Sequence, residues 1–464
     1  MQDYKQQFKG KKITVMGLGI LGRGLGYTKF LAECGADLIV TDLKTKEQLK
    51  TSVELITNYE LKIKNKKKIK FVLGEHRLED FRDRDMIIKA AGVPLDSIYI
   101  KEAQKNRIPI EMDVSLFIKC APEVILIGIT GTRGKSMTTA LTYEILKQNE
   151  EFLGVKVHIG GNVRGVATLP LLKKVKAGDM LVAELDSWQL QGFGDTKISP
   201  HISVFTSFMP DHMNYYSNSM KKYFKDKANI FKYQKKDDVL IVRPHVKNLI
   251  NKKIKSKIIV ADVKNLSGYK FIVPGEHQRE NLACAVEVAK LFSIPVVKIK
   301  KIVKNFKGIE GRLQYVKQVK GIKIYNDNNA TTPEAAISGI EALSIGQSGV
   351  GHPEIQVSNT RRIILICGGA DKKLPLDNFV KVINKYCKAV IMIPGTGTDK
   401  LINNYELRIM NEKVEDLKEA IKVALGLASC EGIILFSPAF ASFGQFNNEY
   451  ERNDLFLKII KKLR

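Results

Sequence analysis

The chain has 464 residues, 44% of them hydrophobic, and a formal net charge of +26, which predicts two to four domains with real cores. No run approaches the roughly 18 apolar residues of a membrane span, the N-terminus lacks the apolar segment of a secretory signal, and six scattered Cys without a Cys-x-x-Cys pair point to reduced thiols in a cytoplasm, not a disulfide framework or zinc site. The basic runs at 62–68, 252–257 and 298–304 carry no interleaved aromatics, so they read as solvated surface suited to polyanionic small substrates and not as a nucleic-acid platform.

The first block runs to about residue 115. A strand at 13–16 enters Gly17-Leu-Gly19-Ile20-Leu-Gly22, a helix follows to about 34, and a second strand at 37–42 ends on Asp42. A Gly-x-Gly-x-x-Gly turn with an acid about 20 residues on seats a dinucleotide or related ligand. Alone it reads as an NAD-dependent oxidoreductase. It reads equally as a turn whose glycines only pack helix on strand.

The second block spans about 116–309. An apolar run at 124–127 precedes Gly128-Ile-Thr-Gly131-Thr132-Arg133-Gly134-Lys135-Ser136 and a helix at about 137–148. Such a loop holds phosphates: glycines let backbone N–H groups approach, the helix N-terminus adds its dipole, Lys135 reaches the β/γ-phosphates and Ser136 can hold Mg²⁺. The usual spacing would put the first Gly at Ile129, and Gly128 stands one position earlier, so this is a variant loop. Strands at 180–183, 202–205, 238–242 and 257–260 follow. Glu184 ends the first of these and is a second candidate for Mg²⁺, which favours hard oxygen ligands; it also reads as a surface carboxylate. Its sequel holds the only Trp, Trp188. His212 and Lys227 are not singled out by composition, because a lone His is more often structural and a helix Lys in a Lys-rich chain usually faces solvent.

The third block, 310–464, has strands at 363–367, 389–393 and 432–436, each followed by Gly or Ser-Pro. The alternation predicts parallel α/β sheets in every block, with ligands at the carboxyl ends of strands. A phosphate loop and a Rossmann-like turn in different blocks suggest one nucleotide as energy source and another as a handle on a substrate.

These residues resemble the Mur ligases over nearly the whole chain. The loop 128–136 is similar to that family's Gly-Ile-Thr-Gly-Thr-Asn-Gly-Lys-Thr/Ser, and Glu184-Leu-Asp-Ser-Trp-Gln-Leu190 to its Glu-Leu-Ser-Ser-Phe-Gln-Leu. Pro210-Asp-His212, the stretch 223–231, Gly275-Glu-His-Gln-Arg-Glu-Asn281, Asn326-Asp327 with Ala330-Thr331, and Ser437-Pro-Ala-Phe-Ala-Ser442-Phe443 match further motifs. The resemblance implies three α/β domains: a Rossmann-like domain at 1–115 gripping a UDP moiety, a central ATPase domain with a mostly parallel sheet at 116–309, and a Rossmann-like domain at 310–464 bringing an amino acid. It implies ATP-driven addition of D-glutamate to UDP-N-acetylmuramoyl-L-alanine through an acyl phosphate, by a cytoplasmic monomer of cell-wall precursor synthesis, with no nucleic acid and no membrane insertion.

The implied roles follow by position. Lys135, His212 and Lys227 are catalytic. Gly131, Thr132, Arg133, Gly134, Lys135, Ser136, Asn281, Arg312 and Asp327 bind ATP. Gly19, Ile20, Asp42, Asn162, Thr331, Lys372, Ser442 and Phe443 bind the other substrates. Two Mg²⁺ ions are implied, one on Ser136 and Glu184, the other on His212 and a carbamylated Lys227, which requires a lowered lysine pKa.

Departures concentrate in the third block. Asn328-Asn329 stands for Ser-Lys, Gly444 for Asp, and Asn448-Glu-Tyr450 for Asn-Tyr/Phe-Glu. Lys373 or Arg133 could compensate for the missing Lys. Arg133 itself stands for an Asn, Gln278 for another Asn, and 345–354 reads as an inserted Gly-rich surface loop. These leave open a Mur-type ligase with another amino acid, such as L-glutamate, or a folate-type polyglutamylating enzyme. The Gly-Lys-Ser loop argues against a dehydrogenase, and the Gly19/Gly22 turn with the Asp-His…Lys pair against a generic or nucleic-acid-binding NTPase.

Overall fold

The computed structural model describes residues 4–20, 22–62, 69–250, 254–344 and 361–463. The 345–354 loop lies outside them. The chain forms two compact units, Met1–Asn265 with Asn281–Ile299, and Leu266–Glu280 with Lys300–Arg464. No described helix is long and apolar enough to cross a membrane.

The first unit holds two parallel sheets. One contains β1 (Lys12–Met16), β2 (Asp37–Asp42), β3 (Lys70–Leu73), β4 (Met86–Lys89) and β5 (Ile110–Glu111), in the order β3-β2-β1-β4-β5. The strand order reverses at β1, so a crevice opens between the carboxyl ends of β1 and β4, where doubly wound sheets bind ligands. The other contains β6 (Ile125–Thr130), β7 (Val157–Gly161), β8 (Met180–Glu184), β9 (Ile202–Phe205), β10 (Val239–Val242) and β11 (Lys257–Val260), in the order β11-β10-β9-β6-β8-β7. Here the chain leaves β6, returns to its far side through β7 and β8, then crosses to β9. The loop after β6 is therefore flanked by the ends of β8 and β9. The two sheets share one core, with Phe30, Leu31 and Val40 in the same cluster as Phe117, Leu126, Leu181 and Phe205.

The second unit holds β12 (Gln314–Val319), β13 (Ile322–Asn326), β14 (Ile363–Gly368), β15 (Cys387–Ile393), β16 (Met410–Lys413) and β17 (Ile433–Phe436), in the order β12-β13-β17-β14-β15-β16. Successive β14 residues feed opposite faces: Leu365 joins the cluster around Phe379, and Ile364 and Ile366 the one around Phe456. This sheet is mixed and not parallel as the strand–helix alternation suggests, because β12 pairs antiparallel with β13. The cause is local. Lys320 and Gly321 have φ of 48° and 83°, and two consecutive positive-φ residues make the tight turn whose twist suits a hairpin.

Gly128 also differs from its sequence reading. It lies inside β6, before the phosphate loop, and a Cβ there would fall 2.4 Å from Pro200 Cγ and 3.0 Å from Leu185 Cδ1. It is a packing glycine that lets the β6 backbone meet Pro200. Gly128→Ala is accordingly expected to lose about 1–3 kcal/mol of stability through overpacking, measured by urea denaturation; an unchanged midpoint would contradict this placement.

Candidate active site

The turn after β6 is built by two glycines with a positional reason. Gly131 has φ of 151°, and a Cβ there would fall 2.0 Å from Thr206 Oγ1. Gly134 is the left-handed cap (φ 88°) of the helix Lys135–Lys147. The loop is pinned to the segment following β9. Thr132 N–H donates to Ser207 O (2.8 Å), Arg133 N–H to Ser207 Oγ (2.8 Å), and Thr206 Oγ1–H to Arg133 O (2.5 Å). The first-turn amides of the helix and its dipole suit an anion at this turn.

Two lysines converge there. Lys135 Nζ donates to Gly131 O (2.9 Å) and Thr132 O (3.2 Å). Lys227 Nζ donates to the same Gly131 O (2.8 Å) and to Thr130 Oγ1 (3.4 Å). Lys227 comes from the helix Met220–Ala228, whose cap Ser219 accepts from Lys222 N. It is 1% exposed, with its Nζ 5.0 Å over the Tyr223 ring. Burial drives its pKa well below the ordinary lysine value, and repulsion from Lys135 adds to this against weaker attraction from Asp186, Asp211 and Glu184. The Lys is therefore not on the solvated face that composition suggests.

His212 reaches the same place from the segment after β9, with φ of 53°. Its ring lies 4.7 Å from that of Trp188. Loss of hydration holds its pKa below the usual value, with Lys135 and Lys227 opposing protonation further and Asp211 favouring it. An imidazole whose pKa is held down beside Lys135 is a metal ligand or base in waiting. Arg133 pairs with Asp211 at 3.5 Å. Across the loop, Glu184 ends β8 and is 5% exposed. Asn162 N donates to Glu184 O (2.7 Å), and its side chain reaches Glu184 Oε1 at 3.5 Å. Gly161 allows this approach, since a Cβ there would fall 2.1 Å from Glu184 O. Among the described residues, no cluster of three His, Cys, Asp or Glu side chains could hold a metal. A cation here would draw ligands singly from Ser136, Glu184 and His212 and take the rest from phosphate and water, as Mg²⁺ does.

Asn281 also meets the loop. Its Oδ1 lies 2.3 Å from where a Gly134 Cβ would stand and accepts from Thr138 Oγ1 and from Arg243 Nη2. Arg243, 5% exposed at the end of β10, was missed by sequence reading. Only its position after a strand end could have flagged it.

The first-sheet residues divide. Gly17, Gly19, Ile20 and Lys89 line a cavity of about 190 Å³. Asp42 does not line it. Its carboxylate is spent on the Gly19 and Lys44 amides, both at 2.8 Å, so it shapes the turn.

In the second unit, the ends of β13, β14 and β17 gather the third-block residues. Lys372 Nζ donates to Thr331 Oγ1 (2.9 Å), and Ala441 pairs with Ala370, placing Ser442 beside them; Phe443 is 65% exposed. Asp327 is buried and its pKa is pushed up to about 7, mainly by desolvation, against hydrogen bonds from Ser437 Oγ (2.9 Å) and Leu313 N (3.0 Å) and attraction from Arg312. The fully buried Arg452 donates to the Asn328 side-chain oxygen (2.8 Å) and carbonyl (3.0 Å), next to Asn329, the position where a Lys is expected.

Residues 129–280 match the Mur ligase middle domain. The chain is 33% identical to a Borreliella afzelii protein named UDP-N-acetylmuramoylalanine–D-glutamate ligase, over 98% of this chain and 99% of that one. It is 31% identical, over the same shares, to the Roseiflexus protein of that name. The fold is similar to the UDP-N-acetylmuramate–alanine ligase of Thermotoga maritima (TM-score 0.60, 17% identity, 98% and 100% covered). It is also similar to the MurF ligase of that organism in complex with ADP (TM-score 0.56, 15% identity, 83% and 96% covered).

The depressed Lys227 pKa has a measurable sign. The unfolded chain binds a proton at Lys227 that the folded chain resists, so stability rises with pH from the lowered folded value to the ordinary 10.5. In carbon-dioxide-depleted buffer, wild type is expected to gain stability relative to Lys227→Met between neutral pH and pH 10, by urea denaturation. A constant difference would contradict the buried-amine assignment.

Proposed function

Because this chain belongs to the Mur ligase family, we propose how its residues carry out that family's ATP-dependent peptide-bond formation. The chain is a ligase that adds D-glutamate to UDP-N-acetylmuramoyl-L-alanine in peptidoglycan synthesis. The observation that carries the residue-level reading is the convergence of Lys135 and Lys227 on the Gly131 carbonyl, within electrostatic reach of Glu184 and His212.

The substrate carboxylate attacks the γ-phosphorus of ATP, ADP leaves, and an acyl phosphate forms. The amino nitrogen of glutamate then attacks the acyl carbon, the tetrahedral adduct collapses, and phosphate departs as the amine loses its proton. The first step brings two anions together. At about 4 Å and an effective dielectric of about 20, one pair of unit charges repels by roughly 4 kcal/mol. The loop amides of Gly131 to Ser136, the helix dipole and the Lys135 ammonium oppose this while fixing the in-line approach.

The loop fits a triphosphate, since a Cβ at Gly131 or Gly134 would strike its surroundings, and Asn281 and Arg243 sit at its helix end. Ser136 and Glu184 would hold one Mg²⁺; His212 and a carbamylated Lys227 would hold a second. Bound Mg²⁺ supplies charge neutralisation to the transferring phosphoryl group. Lys227 suits the modification because carbon dioxide adds only to a neutral amine, and the product carries a carboxylate-like charge beside Lys135 where an ammonium is repelled.

We further assign the UDP end to the Gly17–Gly22 turn and Asn162, and the amino acid to Thr331, Lys372, Ser442 and Phe443, where the Lys372 ammonium would pair with a glutamate carboxylate. Arg312 and Asp327 would serve the nucleotide. The functional division follows 1–115, 116–309 and 310–464, in a monomeric cytoplasmic enzyme.

The test offers purified protein ATP, Mg²⁺, bicarbonate and UDP-N-acetylmuramoyl-L-alanine with D-Glu or L-Glu separately, following phosphate release and product mass. Phosphate release is expected with D-Glu alone. Equal turnover of L-Glu would overturn the amino-acid assignment. Lys227→Ala is expected to lose at least about 100-fold in kcat, as when a positioned charge is removed from such a site, and to recover partly with added short carboxylates. Full activity without rescue would remove Lys227 from the machinery.

A further inference from the structure

The crevice at the β1/β4 reversal contains a cation that the assignments above leave unused. Lys89 is the last residue of β4 and is 2% exposed. Its Nζ donates to Val93 O at 3.0 Å and forms no ion pair with a carboxylate among the described residues. A lysine this buried is ordinarily paired or absent. Asp186, Asp195 and Asp226 act on it only at longer range.

The side chain lines the cavity bounded by Gly17, Gly19, Arg23, Ala90 and Gln189. Three features of that cavity suit an anion. Arg23 opens the helix Arg23–Glu33, whose cap Gly22 offers no side-chain bond to the first amides. Gly17 keeps the turn open, since a Cβ there would fall 2.7 Å from Ala90 Cβ. Asp113, the one carboxylate on the lining, accepts from Thr168 N (2.8 Å) and Leu169 N (2.7 Å) and also attracts Arg23. The lining thus presents two side-chain cations and a helix start against one carboxylate that already holds two backbone amides.

We propose that Lys89, together with Arg23, contacts the diphosphate of the UDP-linked substrate and is a specificity-determining residue for it. The inference rests on the UDP reading of the first sheet and deepens it by naming the group that reads charge. Burial already pulls the Lys89 pKa to about 8, so a bound diphosphate, by favouring the ammonium, draws a proton onto it near that pH. The other charged groups facing Lys89 are Asp186, Asp195 and Asp226 from the central block and Arg23 and Asp113 in the cavity. All of them remain in a Lys89→Met variant.

Calorimetry of UDP and of uridine binding to the full chain, near pH 8 in two buffers of different ionisation enthalpy, tests this. Wild type is expected to bind UDP with proton uptake. Lys89→Met is expected to lose about 10- to 100-fold in UDP affinity, the scale of a charge-assisted contact. It keeps its uridine affinity and takes up no proton, and Lys89→Arg restores UDP binding. The KM for the UDP substrate rises in Lys89→Met while the KM for ATP stays. Equal loss of UDP and uridine affinity would make Lys89 merely structural and overturn the proposal, as would unchanged UDP binding. Wild-type proton uptake is readable even if the variant misfolds, and its absence counts against the proposal. Failure of wild type to bind UDP at all would overturn the underlying UDP reading, and this inference with it.

Discussion

One carbonyl oxygen, that of Gly131, accepts from two lysines. Two full ammonium groups sharing an acceptor in a buried site repel strongly, which favours loss of charge from one of them. Lys227 is the one whose pKa is driven well below the ordinary lysine value. It is almost wholly buried, whereas Lys135 is partly open to solvent. The surrounding chemistry follows from this. In the proposed chemistry the lowered pKa makes the Lys227 amine available to carbon dioxide, a carbamate there would return the charge balance to favourable, and His212, whose pKa is also held down in the same crowd, would coordinate.

The sheet topology creates that crowding. Because the chain enters β7 and β8 on one side of β6 and β9 on the other, Glu184 and the Thr206–His212 segment both arrive beside the loop after β6. The glycines are what allow the approach to be close. Gly131 yields to Thr206, Gly134 to Asn281 and Gly161 to the Glu184 backbone. The first sheet repeats the logic with β1 and β4, and the outcome there is again a buried lysine, this one the last residue of β4.

Much of this was legible in the chain. The phosphate loop, Glu184 at a strand end and the strand–helix alternation are local patterns with local causes. Part of what escaped was set by distant residues. Gly128 reads as a displaced loop glycine but answers to Pro200, which lies far along the chain. Asp42 reads as a ligand acid, and its oxygens also accept from the Gly19 and Lys44 amides, which the turn pattern does not announce. The strands Lys70–Leu73, Met86–Lys89 and Ile110–Glu111 are too short and too mixed with charge to show a period. The antiparallel β12–β13 pair was hidden because its turn residue, Lys320, adopts a positive φ that its type rarely takes. Lys89, Lys227 and Arg243 are unremarkable among 75 Lys and Arg, and burial alone distinguishes them. The Arg452 bonds to both oxygens of Asn328, beside the Asn329 that stands where a Lys is expected, join residues more than a hundred positions apart and have no local signal.

The account depends on Lys227 being an uncharged amine that takes up carbon dioxide. The most direct measurement is ¹³C NMR of the protein equilibrated with ¹³C-bicarbonate, comparing wild type with Lys227→Ala. The account predicts a carbamate carbon resonance in wild type that is absent from the variant and persists at neutral pH, where exposed lysines are protonated and unreactive. Identical spectra from the two proteins would contradict it.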